Sequence, residues 1–240
     1  MEKVIIDNLD KESLYHFTLE KELDKIEQEG LLPKIGENAK NIEKTPKVFF
    51  SKGELGIIKA TEVWLRWLMN RIYGVNDRLN QYSGLSELEN KERISAWTKE
   101  FLSKGFLDDT EKKERLFDYF YEYLKERTYL TLDIKDGIEY DSKADDENKV
   151  NLIKKDDQIN ISFAKIMYGE FSDFSTTTMD DWNMHTKSSI GIDKNKVKQV
   201  TTPDGKTDML AIVLYVYEKH KNIPHNKFLI DDFVIYANKK

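Results

Sequence analysis

Residues 13–36 read S-L-Y-H-F-T-L-E-K-E-L-D-K-I-E-Q-E-G-L-L-P-K-I-G, and residues 47–56 read K-V-F-F-S-K-G-E-L-G. Together they spell strand, helix, turn, loop, strand. Leu14 to Thr18 is short and rich in aromatic residues, the composition of a half-buried strand. Thr18 is placed to cap the helix that follows, in which the apolar Leu23 and Ile26 lie three apart on one face. Gly30 stands where a helix end wants a left-handed residue, and Pro33 forbids continuation. Val48, Phe49 and Phe50 make a second apolar strand ending in Ser51, with Gly53 and Gly56 allowing tight turns. Two strand ends, one carrying His16 and the other Ser51, are therefore expected to face one cleft.

The bulk numbers fit this beginning. At 240 residues the chain is long enough for one large domain with a proper core. With 39% hydrophobic and 12% aromatic residues it has globular composition, and 34% charged residues give it a well-solvated surface. A net charge of −6 does not point to general nucleic-acid binding, although it leaves room for a local basic groove. The absence of cysteine excludes disulfides, thiolate zinc sites and a cysteine nucleophile. The opening M-E-K-V-I-I-D-N-L-D is too acidic and too short in apolar length for a signal peptide, and no stretch reaches the ~20 apolar residues of a membrane helix. The expectation is a cytoplasmic protein without a membrane partner. No P-loop, G-x-G-x-x-G or G-x-S-x-G occurs, which removes support for P-loop NTPases, Rossmann dehydrogenases and nucleophile-elbow hydrolases.

Further along, Val4 to Ile6 reads as an edge strand. From Leu55 to Tyr73 the apolar period becomes helical, with Ile57, Ala60, Val63, Trp64, Trp67 and Leu68 at three- and four-residue steps. Residues 75 to 127 add further helices, one around Trp97 and one from Thr110 to Arg127 that places Leu116, Phe117, Phe120, Tyr121 and Leu124 on one face. The tryptophans and phenylalanines of these helices are expected in packing, because the acidic residues between them do not suit a base-stacking surface. Strands are read at Tyr129 to Ile134, Ile138 to Tyr140, around Val197 to Val200, at Leu210 to Tyr217 and at Phe228 to Tyr236, with a turn at Pro203 to Gly205. The acidic cluster of Asp141, Asp145, Asp146 and Glu147 lacks the glycine and distal glutamate of an EF-hand, and no metal site is expected. These elements make an α+β chain, a single domain over 1–240 with a helical insertion at about 57–127.

The Leu14 to Thr18 motif, the short helix and E-G-L-L-P resemble the opening of the ADP-ribosyltransferase-like superfamily. That superfamily includes poly-ADP-ribose polymerases, DNA-modifying ADP-ribosyltransferase toxins and RNA 2′-phosphotransferases. In many members a first-strand His or Arg precedes a helix and a G-L-x-P-like turn. K-V-F-F-S-K-G-E-L-G is similar to the later strand in which an aromatic and a Ser or Ala precede a helix under the nicotinamide. The likeness covers about a fifth of the chain by motif and the rest by pattern. It implies a split antiparallel sheet, NAD as substrate, and transfer to a protein or nucleic acid, as in a bacterial or phage conflict system.

By this resemblance His16 bonds the adenosine-side ribose hydroxyls, supported by Tyr15 and Thr18, while Phe50 and Ser51 hold the nicotinamide. Departure of nicotinamide leaves a ribosyl cation, so a carboxylate is expected at the site. The candidates are Glu218 at the end of one expected strand and Asp231 or Asp232 at the start of another, with Asp232 preferred from L-I-D-D-F-V-I-Y. Where the family carries glutamate this chain has aspartate, so a non-catalytic interaction protein that retains the fold stays open. A 2′-phosphotransferase-like activity would need several basic residues on the cleft, and only His16 and Lys52 are indicated. W-N-M-H-T-K, with Trp182, Asn183, His185 and Lys187, is a candidate phosphate or acceptor site or a plain loop. Ser175 to Thr178 resembles the S-T-S element of arginine-type transferases, and His220 and His225 read as surface residues.

Overall fold

A computed structural model describes residues 1–35, 45–72, 110–135, 137–140, 184–186, 189, 191–222 and 229–240. Strands β1 (Lys3–Ile5), β2 (Leu14–Leu19), β3 (Phe49–Lys52), β4 (Arg127–Leu132), β5 (Ile138–Tyr140), β6 (Met184–Thr186) and β7 (Val197–Thr201) stand in the order β1-β7-β4-β2-β3-β6-β5. Five of them, β1, β7, β4, β2 and β3, form one ladder, and β3 carries β6 and then β5 on its other edge. The chain is mixed α and β. The sheet departs from the expected all-antiparallel pattern at one edge, where β1 runs parallel to β7.

Contacts group the chain into two compact units, one of Met1–Thr61, Tyr121–Ser142 and Phe174–His225, the other of Glu62–Phe120, Lys143–Asp173 and Asn226–Lys240. The second takes in most of the stretch expected as an insertion, together with the C-terminal residues.

In the first unit, β2 pairs with β4 over its whole length, Leu14 opposite Leu132 and Leu19 opposite Arg127. Because side chains alternate along a strand, Leu14, His16 and Thr18 share one face with Leu130 and Leu132. That face is the core. Leu14, Phe50, Leu130, Leu132 and Val197 pack there with Ile26 of helix α1 (Leu23–Glu29) and with Leu31, Val48 and Ile192. The opposite face carries Tyr15 and Phe17, each meeting the Tyr129 ring edge-on at 6.3 and 6.4 Å between centroids. Thr18 is a strand residue rather than the helix cap. A 3-10 turn at Glu20 to Glu22 intervenes, tied by the Glu20 amide donating to the Glu126 carbonyl at 2.9 Å, and α1 starts without a side-chain cap.

Helix α2 (Gly53–Ile72) follows β3 with no loop. Gly53 makes this possible: its φ is +68°, and a Cβ there would meet the Lys11 carbonyl oxygen at 2.7 Å. Gly56, expected in a turn, is a buried helical residue. The apolar stripe reaches full burial at Ile57 and Leu65, while Trp64 is only half-buried. The side chain of Trp67 and all of Trp97 lie outside the described residues, as do Asp141 to Glu147, Ser175 to Thr178, Trp182, Asn183, Lys187 and His225.

Two expected strands are helices. L-A-I-V-L-Y-V-Y belongs to α4 (Met209–His220), packed against β4. A continuous apolar run fits a buried strand and a buried helix equally well, and the flanks decide it. Asp208 caps the first turn by accepting from the Ala211 amide at 2.9 Å, while Lys219 and His220 suit the negative C-terminal end. The last expected strand is α5 (Ile230–Ala237). Its buried Ile230, Phe233, Val234 and Ala237 follow the i, i+3, i+4, i+7 spacing of a helix face.

In the second unit, Phe117 and Phe120 of α3 (Thr110–Lys125) are buried and meet Phe233 at 5.7 and 5.0 Å between ring centroids. Glu62, 1% exposed, replaces the missing side-chain cap of α5 by accepting from the Ile230 amide at 2.8 Å and the Leu229 amide at 3.3 Å.

Candidate functional site

The core face of β2 ends in a cleft. Beyond Leu14 the same face presents His16 and then Thr18, and α1 crosses in front of them. Glu22, the residue just before α1, and Lys25, Ile26 and Glu29 within it recur at i, i+3, i+4 and i+7, so one stripe of the turn and helix lines the cleft. Its buried member, Ile26, reaches the core, and its charged members stay on the rim. The cleft volume is about 240 Å³.

Gly30 sets the back of it. At φ +79° and ψ −171° this residue occupies a region open essentially to glycine alone, and a Cβ would stand 2.3 Å from the Ile192 carbonyl oxygen. The close approach lets Leu31 pair with Ile192 through both backbone bonds, at 2.9 and 2.8 Å. Leu32, 47% exposed, also lines the cleft, and Lys34 forms an antiparallel bridge with Lys47, its amide donating to the Lys47 carbonyl at 3.2 Å. Lys47 leads into Val48 and Phe49, which complete the wall.

His16 is the most constrained polar group there. Its Nδ1 lies 2.7 Å from the Phe49 carbonyl oxygen. A carbonyl only accepts, so Nδ1 carries the proton and donates it. Burial holds the ring below its ordinary pKa of 6.5. The nearby Lys34 ammonium pushes the same way, against the bond to Phe49. The ring is therefore neutral near pH 7, which leaves Nε2 as an acceptor on a residue that lines the cleft.

The other expected site residues separate from it. Ser51 pairs with Tyr15 in the β2–β3 ladder, so it stands on the opposite face from His16, buried at 5% exposure, with its hydroxyl 3.5 Å from the Tyr15 carbonyl. The expectation that His16 and Ser51 open into one cleft is thus corrected. The register of two strands joined through residues 20–48 cannot be counted from either strand end. Tyr15 goes with Ser51, 2% exposed among aromatics, where burial raises the pKa of its hydroxyl. Phe50 shares the face of His16 but is spent in the core at 4% exposure. Thr18 remains with His16 on the cleft.

Neither expected acid is at a strand end. Glu218 is exposed on α4 and bonded by Lys221, and Asp232 is exposed in the first turn of α5, 2.8 Å from Lys113. Lys52 pairs with Glu12, and His185 stands in β6 with its backbone paired to Phe49 and its side chain outside the described residues. His220 is paired with Glu54 at 2.5 Å and is 23% exposed. Among the described residues no three His, Asp or Glu side chains gather to hold a metal. None of the described helices is long and apolar enough to cross a membrane.

Sequence reasoning missed the charged rim: Glu22, Lys25, Glu29, Lys34 and Lys47. The first three had a signal, the helical spacing of charges around Ile26. The Lys34–Lys47 bridge had none, since twelve residues separate the two. Chemically, the cleft offers a neutral acceptor, an apolar floor, three ammonium groups and two carboxylates. No family model matches this chain, and no curated protein or solved structure matches it either.

Proposed function

We propose that the cleft around His16 binds NAD and that the chain is an NAD-using, ADP-ribosyltransferase-like protein. Its acceptor would be a protein or a nucleic acid, in a bacterial or phage conflict system. The observation that carries the reading is the locked ring of His16. With Nδ1 committed to the Phe49 carbonyl and the ring held neutral, Nε2 suits a hydroxyl donor such as a ribose hydroxyl. This is the role implied for a first-strand histidine followed by a helix and the E-G-L-L-P turn. A volume of about 240 Å³ falls below the ~300–1,000 Å³ of pockets that enclose a drug-sized ligand, and suits one end of a dinucleotide.

A specific observation favours a second reading, a protein that retains the fold without turnover. The expected acids Glu218 and Asp232 lie on helices, each tied to a lysine. The described walls of the cleft contribute their own carboxylates, Glu22 and Glu29. One experiment separates the readings: titration of NAD into the protein by calorimetry, followed by an assay of nicotinamide release with candidate acceptors. Binding with release supports the enzyme, and loss of release in Glu22→Gln or Glu29→Gln, with binding kept, would place the acid. Binding without release selects the second reading. If NAD is not bound, the enzyme reading falls and the non-catalytic reading takes its place.

A further inference from the structure

β1 closes one end of the strand order, and its backbone bonds show what that end offers. It runs parallel to β7, with Lys3 opposite Gln199 and Ile5 opposite Thr201. The Gln199 amide donates to the Glu2 carbonyl at 2.9 Å, and the Thr201 hydroxyl lies 3.5 Å from the Val4 carbonyl. In a parallel ladder alternate residues turn both backbone groups to one neighbour, so Glu2 and Val4 serve β7 while Lys3 and Ile5 face outward. The Ile5 carbonyl starts the 3-10 turn of Ile6 to Asn8. That leaves the Lys3 amide, the Lys3 carbonyl and the Ile5 amide on an open edge. The side chains beside them are exposed, Ile5 at 38% being a large apolar one. Glu2 is paired with Lys198, whereas no carboxylate among the described residues pairs with Lys3.

We infer that this edge pairs antiparallel with β1 of a second copy of the chain, joining the two sheets across a two-fold axis at Val4. The outward groups select the register. A two-fold pairing that uses them sets Lys3 against Lys3, Ile5 against Ile5, or Lys3 against Ile5. The first opposes like charges, which repel across a strand pair. The second opposes carbonyls that already serve the turn, and it runs into residues 6–8, which are not extended. The third avoids both. Each Ile5 amide donates to the Lys3 carbonyl of the other copy, and each Lys3 amide reaches the second lone pair of the opposing Ile5 carbonyl. The methylene stem of Lys3 then covers the exposed Ile5. Lysine on a short strand is an ordinary way of blunting a sheet edge. Here it blunts only the register that sets Lys3 against itself, so it chooses the pairing and does not forbid it.

The test is sedimentation velocity of the full chain over a concentration series, with hydrogen exchange followed at the same concentrations. Wild type is expected to pass from monomer to dimer, and the Lys3 and Ile5 amides to exchange more slowly as the dimer forms. Ile5→Pro removes one outward amide and leaves the β7 ladder whole, and the φ of Ile5, −72°, is one that proline holds. The variant is expected to weaken dimerisation at least about fivefold, two hydrogen bonds being lost per dimer, while keeping its thermal midpoint. Ile5→Val keeps the amide and should dimerise as wild type does. A wild type that stays monomeric throughout the series overturns the inference, even if it takes up unrelated extended peptides. A dimer that Ile5→Pro leaves as tight as before places the contact elsewhere and overturns it too. If Ile5→Pro unfolds, slowed exchange at the two wild-type amides supports the pairing and unchanged exchange overturns it.

Discussion

Tyr15 and His16 are neighbours in β2 and face opposite ways. Tyr15 looks into an aromatic layer, edge-on to Tyr129, with Ser51 beside it. His16 looks along the core face to where that face runs out of apolar side chains and opens into the cleft. The same strand therefore gives its odd-numbered residues to the aromatic layer, while its even-numbered face passes from core at Leu14 to the cleft at His16 and Thr18. A substitution on either side should reveal which property that side serves.

The largest effect is expected on the packed side. Tyr15→Ala empties a fully enclosed aromatic position and should lower unfolding stability by about 3–5 kcal/mol in urea titrations. His16→Ala, one residue on, should cost well under half of that near neutral pH. Equal costs for the two would erase the division between the faces.

Next in size is Gly30→Ala. The new Cβ must move the Ile192 carbonyl and leave a backbone conformation reserved for glycine, for about 2–3 kcal/mol. Because Gly30 positions the back of the cleft and not the Tyr15 layer, the variant should also weaken ligand binding, which Tyr129→Phe should not. A stability loss below ~1 kcal/mol would show that the turn relaxes freely.

These contrasts mark how much was legible beforehand. The strand at Leu14, the helix, the Gly30 turn and the second strand could be read because each carries its own local signal. Glycine conformation, a proline stop and aromatic strand composition act within a few residues. The face assignment could not be read, since a one-residue change of register sends every side chain of a strand to the other side. That is why His16 and Ser51, both at expected strand positions, do not share a cleft. The helices α4 and α5 were missed for another reason. L-A-I-V-L-Y-V-Y has no polar residue to reveal a period, and in I-D-D-F-V-I-Y-A the helical spacing from Ile230 to Ala237 competes with strand-like composition. With those helices went both expected acids. The lysine bridge depends on chain far apart in sequence and left no local trace.

A smaller effect is expected from Tyr129→Phe. The hydroxyl of Tyr129 is buried and meets no hydrogen-bond partner among the described residues. The nearby Thr61 hydroxyl donates to the Ile57 carbonyl at 2.7 Å. Removing the Tyr129 hydroxyl should change stability by less than ~1 kcal/mol, in the stabilising direction. A loss of 2 kcal/mol or more would reveal a bond to this oxygen.

The smallest effect is a pH slope. Burial depresses the His16 pKa below 6.5, so between the folded value and 6.5 the unfolded chain binds more protons than the folded one. Stability from this group is complete above 6.5 and is lost as the pH falls toward the folded value. Wild type should therefore lose more stability than His16→Ala between pH 7.5 and 5.5. The opposite ordering would mean that the ring is charged in the fold.

The most direct test of the central claim is calorimetric titration of NAD into wild type and His16→Ala at pH 7.5. Wild type should bind NAD, and the variant should bind it about 2- to 12-fold more weakly, the loss of one hydrogen bond to a neutral acceptor. Binding that is unchanged in the variant, or absent from wild type, would contradict a site built around His16.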